Sequence, residues 1–169
     1  MKKLLILLAF IFIAGFFPNE QHYIPVKNAT YKDWDPQSFW YSPWGKSGVH
    51  KGIDIFAHEG KSVVATTGGL VLYQGDYGRG GNVVFILGTK WRIHYYAHMQ
   101  TTLVNTLSIV DAGEQIGIVG TTGNARGRPA HLHYSIKSLF PIPWHYGFGE
   151  PMAADKMFYL DPGKFIRSQ

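Results

Sequence analysis

The sequence predicts an all-β protein: a single antiparallel β-sheet or sandwich domain. Phenylalanine, tyrosine and tryptophan make up 15% of the 169 residues and 20 residues are glycine, a mixture typical of short strands joined by tight turns. No stretch carries the sustained 3.6-residue apolar period of a long helix. A chain of this length supports one domain with its own core.

Short apolar runs bounded by turn residues are expected to form the strands. They occupy residues 53–56, 62–65, 70–73, 82–87, 92–97, 115–119 and 132–136. Glycine-rich turns separate several of these runs, including Gly68-Gly69 and residues 78–81. Strands at this spacing, with no helical pattern between them, indicate antiparallel pairing.

Residues 1–17 have the pattern of an export signal. Lys2 and Lys3 precede an apolar run over residues 4–17, which is shorter than the roughly 20 residues of a membrane span. The segment is expected to be a signal peptide. Because Ala14-Gly15-Phe16-Phe17 is a poor cleavage site, an uncleaved N-terminal anchor is the alternative. Both alternatives predict that the domain is exported.

Composition narrows the classes of function. The formal net charge is +5, a mild bias that is compatible with an anionic polymer such as a cell wall. No dense basic stripe is present, so the sequence predicts no nucleic-acid partner. The chain has no cysteine, which excludes a thiol nucleophile and limits any zinc site to nitrogen and oxygen ligands.

Two short patterns carry the chemistry. The first is His50-Lys51-Gly52-Ile53-Asp54 and the second is His131-Leu132-His133. Because residues i and i+2 of a strand share a face, both imidazoles of the second pattern should project together, with Leu132 on the opposite, buried side. Two imidazoles and one carboxylate suit a zinc ion with an open fourth position, where water becomes a nucleophile.

The first pattern places a condition on the backbone. On a straight strand His50 and Asp54 would lie about 13 Å apart, at ~3.3 Å per residue. Ligands of one zinc each lie within roughly 2.0–2.2 Å of it. The chain is therefore expected to bend at Gly52, which can do so without steric cost.

Each pattern also has a plain alternative when it is considered alone. The alternative for His131 and His133 is that they are two histidines on the surface of a sheet. The alternative for His50 and Asp54 is that they are a chance pair in a turn. His98 ends a strand-like run and is by itself expected at the surface. His94 has the same parity as His98 and is likewise expected to be a surface residue.

Taken together, the motifs closely resemble the lysostaphin/LytM-type zinc metallopeptidases, which cut peptidoglycan peptides. The similarity runs over about residues 41–136 and rests on motifs that occur in order. They are residues 48–55, Tyr96-Ala97-His98-Met99, residues 112–123 and His131-Leu132-His133, and the segment Tyr159-Leu160-Asp161-Pro162 resembles the family's closing segment.

The resemblance implies a fold and assigns separate metal-binding and catalytic roles to the site residues. The fold is the LytM-like (duplicated hybrid motif) β-domain, with loops around a zinc cleft. The metal ligands implied for one Zn²⁺ per chain are His50, Asp54 and His133. The unliganded catalytic residues beside the metal are His98 and His131.

The implied activity is zinc-dependent endopeptidase hydrolysis of peptide bonds in peptidoglycan stem peptides or cross-bridges. Peptidoglycan peptides are then the partner, and the location is a bacterial periplasm, cell envelope or the extracellular space. Membrane contact is expected only through an uncleaved N-terminal segment. The expected organisation is residues 1–17 as signal or anchor, 18–40 as a linker or latency segment, 41–139 as the metallopeptidase core and 140–169 as a wrapping tail.

Two other functions are weighed against this one. The first is a non-catalytic LytM-like domain that binds or activates a cell-wall amidase. Such domains typically lack some of the ligands, whereas this chain retains all three together with both partner histidines. The second is a secreted β-sandwich binding module whose histidines are incidental, which the ordered set of motifs disfavours.

The chain departs from the family pattern in two places. The loop Gly127-Arg128-Pro129-Ala130 lengthens the approach to His131 and is expected to reshape the substrate cleft. Tyr134-Ser135 replaces the more usual Phe-Glu. Family members also tend to have a tyrosine or asparagine near the site; Tyr41 is a candidate for that position, with simple aromatic packing as the alternative.

Overall fold

The computed structural model describes residues 2–16 and 22–168. In these residues the strands are β1 (Ile53–Phe56), β2 (Ser62–Val64), β3 (Gly69–Asp76), β4 (Asn82–Leu87), β5 (Arg92–Thr102), β6 (Ile109–Val110), β7 (Gln115–Val119), β8 (His131–Ser138) and β9 (Tyr159–Leu160). The α-helices are α1 (Lys2–Ala14), α2 (Ala153–Lys156) and α3 (Pro162–Arg167). The predicted all-β, antiparallel class is confirmed.

The strands form one antiparallel sheet in the order β1-β8-β5-β4-β3-β6, in which β7 pairs with β2 and β5, and β9 pairs with β8. Every predicted strand is present, but β3 and β5 are longer than their apolar runs. Pairing continues through polar residues, because Gln74 lies opposite Val84 and Thr101 lies opposite Ile118. Because the hydrogen bonds between strands are made by the backbone and do not require apolar side chains, the apolar pattern underestimates the lengths of β3 and β5.

Strand β5 is the central element, and it changes partner along its length. Residues 92–97 pair with β8, whereas Met99, Thr101 and Thr102 pair with β7. His98 lies between these two regions and has a φ of +66°, in the left-handed region. The register of the neighbouring β4 pairing also shifts close to this point. The strand is therefore distorted where a histidine of the central motif lies.

The hydrophobic core includes residues outside the motifs described above. Among the largest fully buried side chains are those of Tyr96, Tyr134, Ile53, Ile55, Ile86, Met99, Ile116, Leu132 and Ile136. Residues 22–40 join this core through Val26 and Trp34, which are both buried. At the other end of the chain, Phe165 and Ile166 of α3 are buried in the same core. The role of residues 18–40 as a linker or latency segment stays a prediction.

Helix α1 packs on the rim of the domain. The ring of Phe12 stacks on that of Trp91 at 6.1 Å, and Trp91 Nε1 donates a hydrogen bond to the carbonyl of Phe12 at 2.9 Å. In the described part of the chain, no helix combines the length and apolar character that a membrane crossing requires. The signal or anchor role of residues 1–17 stays a prediction, and residues 1 and 17–21 lie outside the described residues.

Candidate metal centre and catalytic cleft

Three side chains converge where β1 pairs with β8, because Asp54 lies directly opposite His133. Oδ1 of Asp54 is 2.8 Å from Nδ1 of His133 and 3.1 Å from Nε2 of His50. The two imidazole nitrogens are 3.2 Å apart. Tetrahedral zinc with bonds of ~2.0–2.2 Å separates its ligand atoms by about 3.4 Å. These three atoms can therefore hold such an ion after small adjustments.

The backbone bends at Gly52, as predicted, and this bend brings His50 to Asp54. The reason for glycine differs from the expected one, since its φ is not in the left-handed region. A Cβ at this position would overlap the carbonyl oxygen of Tyr134 and would lie 3.0 Å from Cε1 of His133. Glycine thus allows the backbone before β1 to approach β8 closely.

The orientation of His50 is fixed from outside the motif. Its Nδ1 lies 3.0 Å from the carbonyl oxygen of Ser38, which can only accept, so Nδ1 carries the proton. Nε2 then presents a lone pair toward Asp54 and His133. The ring of Trp44 stacks on the imidazole at 4.2 Å, and His50 is almost fully buried. His50 is consequently held in one tautomer and one rotamer.

Electrostatics keep this group of three ready to bind a cation. Burial raises the pKa of the Asp54 carboxyl, but the adjacent imidazoles of His133 and His50 outweigh this effect and hold that pKa well below its usual range. Burial lowers the pKa of His133, so its imidazole is neutral at neutral pH. An ionised carboxylate and neutral imidazoles are the forms that ligate a metal ion.

His98 and His131 lie beside the group of three. Their rings are 5.1 Å apart, and the ring of His98 is 6.1 Å from that of His133. Nδ1 of His98 donates to the carbonyl of Thr122 at 3.0 Å, and Nδ1 of His131 donates to that of Pro129 at 2.8 Å. In the neutral state each Nε2 is therefore an acceptor. Burial, together with His133 and His131, lowers the pKa of His98 to about 4.

All five predicted residues are brought together as expected from the motifs. His131 and His133 face the same side of β8, with Leu132 fully buried opposite. Asp54, His98, His131 and His133 line one cleft of about 220 Å³, and His50 lies behind Asp54. The other lining residues are Trp44, Ser47, Arg79, Gly80, Tyr95, Asn124, Ala125 and Arg128.

Several lining residues were not identified from the sequence. Arg128 belongs to the loop that was expected to reshape the cleft, but Trp44, Arg79 and Tyr95 were missed. Alternation along β5 could have identified Tyr95 as a lining residue. Tyr95 is on the same face of the strand as Ala97, and Ala97 lies opposite His133. Tyr41 is not among the lining residues; it is exposed and its ring contacts that of Trp44 at 6.2 Å.

The surface position expected for His94 is wrong. His94 is fully buried, and its Nδ1 lies 2.7 Å from the hydroxyl of Tyr134. The left-handed backbone at His98 interrupts the alternation of β5. The side chains of His94 and His98 therefore lie on different faces of the sheet, although an even number of residues separates them along the strand.

The chain is similar to several known proteins. Peptidase family M23 matches residues 48–141, more than half of the chain. Murein hydrolase activator NlpD of Salmonella typhimurium (strain LT2) is 40% identical over 100 residues, which are 56% of this chain and 26% of that protein. The L-Ala–D-Glu endopeptidase of Bacillus subtilis (strain 168) is 34% identical over 125 residues, 69% of this chain and 38% of that protein.

A solved structure supports the fold. The catalytic domain of lysostaphin from Staphylococcus simulans has a TM-score of 0.62 and 24% identity, covering 82% of this chain and 96% of that domain. The chain spans only about a quarter of the length of the activators that it matches. The predicted resemblance is confirmed by the family match: this chain belongs to peptidase family M23.

Proposed function

We propose that this protein is a zinc-dependent endopeptidase that hydrolyses peptide bonds in peptidoglycan stem peptides or cross-bridges. The observation that carries the proposal is the convergence of His50, Asp54 and His133 within 4.8 Å, beside two further histidines. Membership of family M23 supports peptidase chemistry on the cell wall. Export to the periplasm, the envelope or the extracellular space belongs to the same proposal.

His50, Asp54 and His133 would hold one zinc ion through Nε2, Oδ1 and Nδ1. Such an ion would act as a Lewis acid and would lower the pKa of a bound water to about 7. The three donor groups fit this role, because two neutral imidazoles and one carboxylate would leave the zinc ion and its ligands with a net positive charge. Three protein side chains are also the number that catalytic zinc sites use, and such sites bind a water molecule in addition.

His98 and His131 would move the protons. Each holds its Nδ1–H on a backbone carbonyl, so the neutral ring can accept a proton only at Nε2. A ring that takes a proton from the attacking water can return it to the leaving amine. The partner ring, when protonated, can donate a hydrogen bond to the developing oxyanion. A positioned acid or base of this kind contributes ~10²–10⁴-fold to the rate.

A second candidate is a domain that binds or activates a cell-wall amidase. It is favoured by the 40% identity to a murein hydrolase activator, over a quarter of that protein's length. The presence of all three ligand positions and both partner histidines favours the enzyme instead. The two functions differ in what the purified protein releases from peptidoglycan when no amidase is present.

The deciding experiment is digestion of purified peptidoglycan of defined cross-link type by the zinc-loaded protein. Mass spectrometry of the products should show new amino and carboxyl termini within the peptides. The His131→Ala variant, which should retain zinc, is the matched control for contaminating hydrolases. Fragments that appear only when an amidase is added would establish the activator function and contradict the proposed peptidase.

A further inference from the structure

Two arginines line the same cleft as the catalytic histidines. Arg79 lies in the turn of residues 78–80 before β4, and Arg128 lies in the loop before β8. Both side chains are exposed, and neither has an ion-pair partner among residues 2–16 and 22–168. The acidic residue in this lining is Asp54, whose Oδ1 lies 3.1 Å from Nε2 of His50 and 2.8 Å from Nδ1 of His133. Within the described part of the chain, the positive charge of these two arginines is therefore not neutralised by an ion pair.

The loops that carry the arginines are fixed against each other. A Cβ on Gly81 would overlap Thr122, and a Cβ on Gly123 would overlap the carbonyl of Arg79, so the two backbones are in direct contact. The hydroxyl of Thr122 also accepts from the amide of Asn82 at 2.9 Å. A subsite on such loops is held in place before any ligand arrives, which lowers the entropy cost of binding.

The side chain of Arg79 extends toward the part of the cleft that holds His50, Asp54 and His133. Its terminal nitrogen lies 3.8 Å from the position of a Cβ on Gly45, so the guanidinium reaches the loop that carries Trp44. Trp44 in turn stacks on His50. A ligand group held by Arg79 would thus lie at the wall of the cleft that contains the metal ligands.

We propose that Arg79 and Arg128 form a carboxylate subsite, and that the substrate is a peptide with a free carboxylate next to the scissile bond. The inference rests on the proposed peptidase function and narrows its substrate class. A guanidinium offers a planar fork of N–H donors that matches a carboxylate in bidentate geometry. A glycine cross-bridge has no side-chain carboxylate, whereas a stem peptide with D-glutamate or a diamino diacid does. The Bacillus subtilis relative is named for a bond that involves D-Glu.

The test compares peptides that differ in one group. Cross-linked stem peptides with their D-glutamate and diamino-diacid carboxylates free, or with both converted to carboxamides, are given to the full-length zinc-loaded protein. Pentaglycine is the third substrate. We expect kcat/KM for the free-carboxylate peptide to exceed that for the amidated peptide by about tenfold or more, as for a charge-assisted hydrogen bond.

The variants assign that preference to the two side chains. Arg79→Gln and Arg128→Gln should each lower kcat/KM for the free-carboxylate peptide and leave the amidated peptide nearly unchanged. Arg126→Gln is the matched control, because Arg126 is an exposed arginine of the same loop that does not line the cleft. Equal cleavage of both peptides by the wild type, or an unchanged ratio in both glutamine variants, would overturn the subsite. Faster cleavage of pentaglycine would do the same.

Binding separates this inference from the peptidase proposal. If the wild type cleaves none of the substrates, the proposed function fails, and calorimetry of the uncut peptide pair with the His131→Ala variant tests the subsite alone. We expect about tenfold tighter binding of the free-carboxylate peptide, and loss of this difference when Arg79→Gln is added. Equal affinity, or no binding of either peptide, would contradict the subsite.

Discussion

The backbone carbonyl of Thr122 accepts a hydrogen bond from Nδ1 of His98 at 3.0 Å, and thereby orients a histidine whose own backbone is left-handed. The same residue uses its hydroxyl to accept from the amide of Asn82 and to donate to the carbonyl of Met99 at 2.8 Å. A non-glycine residue in this backbone region costs of order 1–3 kcal/mol and persists only where its surroundings hold it. Thr122 supplies part of that restraint.

Replacing Thr122 by valine should therefore destabilise the protein. Valine keeps the shape and the backbone carbonyl but removes the hydroxyl, which leaves one amide and one carbonyl without their partner. The free energy of unfolding should fall by about 1–2 kcal/mol, measured by urea denaturation. Thr121→Val is the control, since that hydroxyl makes only a 3.3 Å contact with the exposed Glu59 and should change stability little. Equal losses in the two variants would contradict this role.

Two histidines of one strand should respond differently to alanine substitution. His133→Ala removes a ligand atom, so both bound zinc and turnover should be lost. His131→Ala should keep about one equivalent of zinc while turnover falls by ~10²–10⁴-fold, because only the proton-transfer group is removed. Native mass spectrometry and peptide release measure the two properties. His58→Ala, an exposed histidine outside the cleft, should preserve both, and loss of zinc in His131→Ala would refute the assigned ligands.

Gly52→Ala should damage the metal site through contact with the backbone. The added methyl group would overlap the Tyr134 carbonyl and press on the ring of His133. The free energy of unfolding should fall by about 1–3 kcal/mol, and zinc affinity should fall at least about tenfold, measured by competition with a chelator.

The Gly60→Ala variant is a control that distinguishes the effect of the steric contact at Gly52 from the effect of backbone strain. Gly60 has a φ of +85° and no heavy atom within 4 Å of its Cβ position, so alanine there strains only the backbone. It should cost about 1 kcal/mol and leave zinc affinity unchanged. A similar loss of zinc affinity in both variants would show that the close approach of Gly52 to β8 is not the cause.

The stability of the metal-free protein should depend on pH through His98. Its pKa is about 4 in the folded protein, below the ordinary 6.5, so between these values the unfolded chain binds a proton that the folded chain does not. The free energy of unfolding should consequently fall as the pH is lowered from 6.5 to 4, by at most about 1.4 kcal/mol per pH unit for this group. His133 acts in the same direction.

Urea titrations of the chelated protein across this range measure the slope. His98→Gln removes one titrating group and should make the slope shallower, while His58→Gln should leave it as in the wild type. A slope in His98→Gln that equals the wild-type slope would mean that His98 titrates alike in the folded and unfolded protein.

Local patterns in the sequence located seven of the nine described strands and the shared face of His131 and His133, because both follow from apolar runs and alternation within a single strand, whereas the two-residue strands β6 and β9 have no such run. The bend at Gly52 followed from the reach of two ligands to one ion, but its steric reason depends on Tyr134, a residue of another strand. His94 was misplaced because one left-handed residue interrupts the alternation of β5. Trp44 and Arg79 line the cleft because loops distant in the sequence contact each other. Such contacts between loops cannot be predicted from the periodicity of the sequence.

The hydrogen bond between Ser38 and His50 has a consequence for protein engineering. Peptidase family M23 matches residues 48–141, yet the Ser38 carbonyl that fixes the tautomer of His50 lies ten residues before that segment. A chimera that exchanges only the matched segment between relatives would receive His50 without the carbonyl that selects its tautomer. Transplantable units should therefore begin upstream of Trp34, whose buried side chain anchors the same stretch of chain in the core.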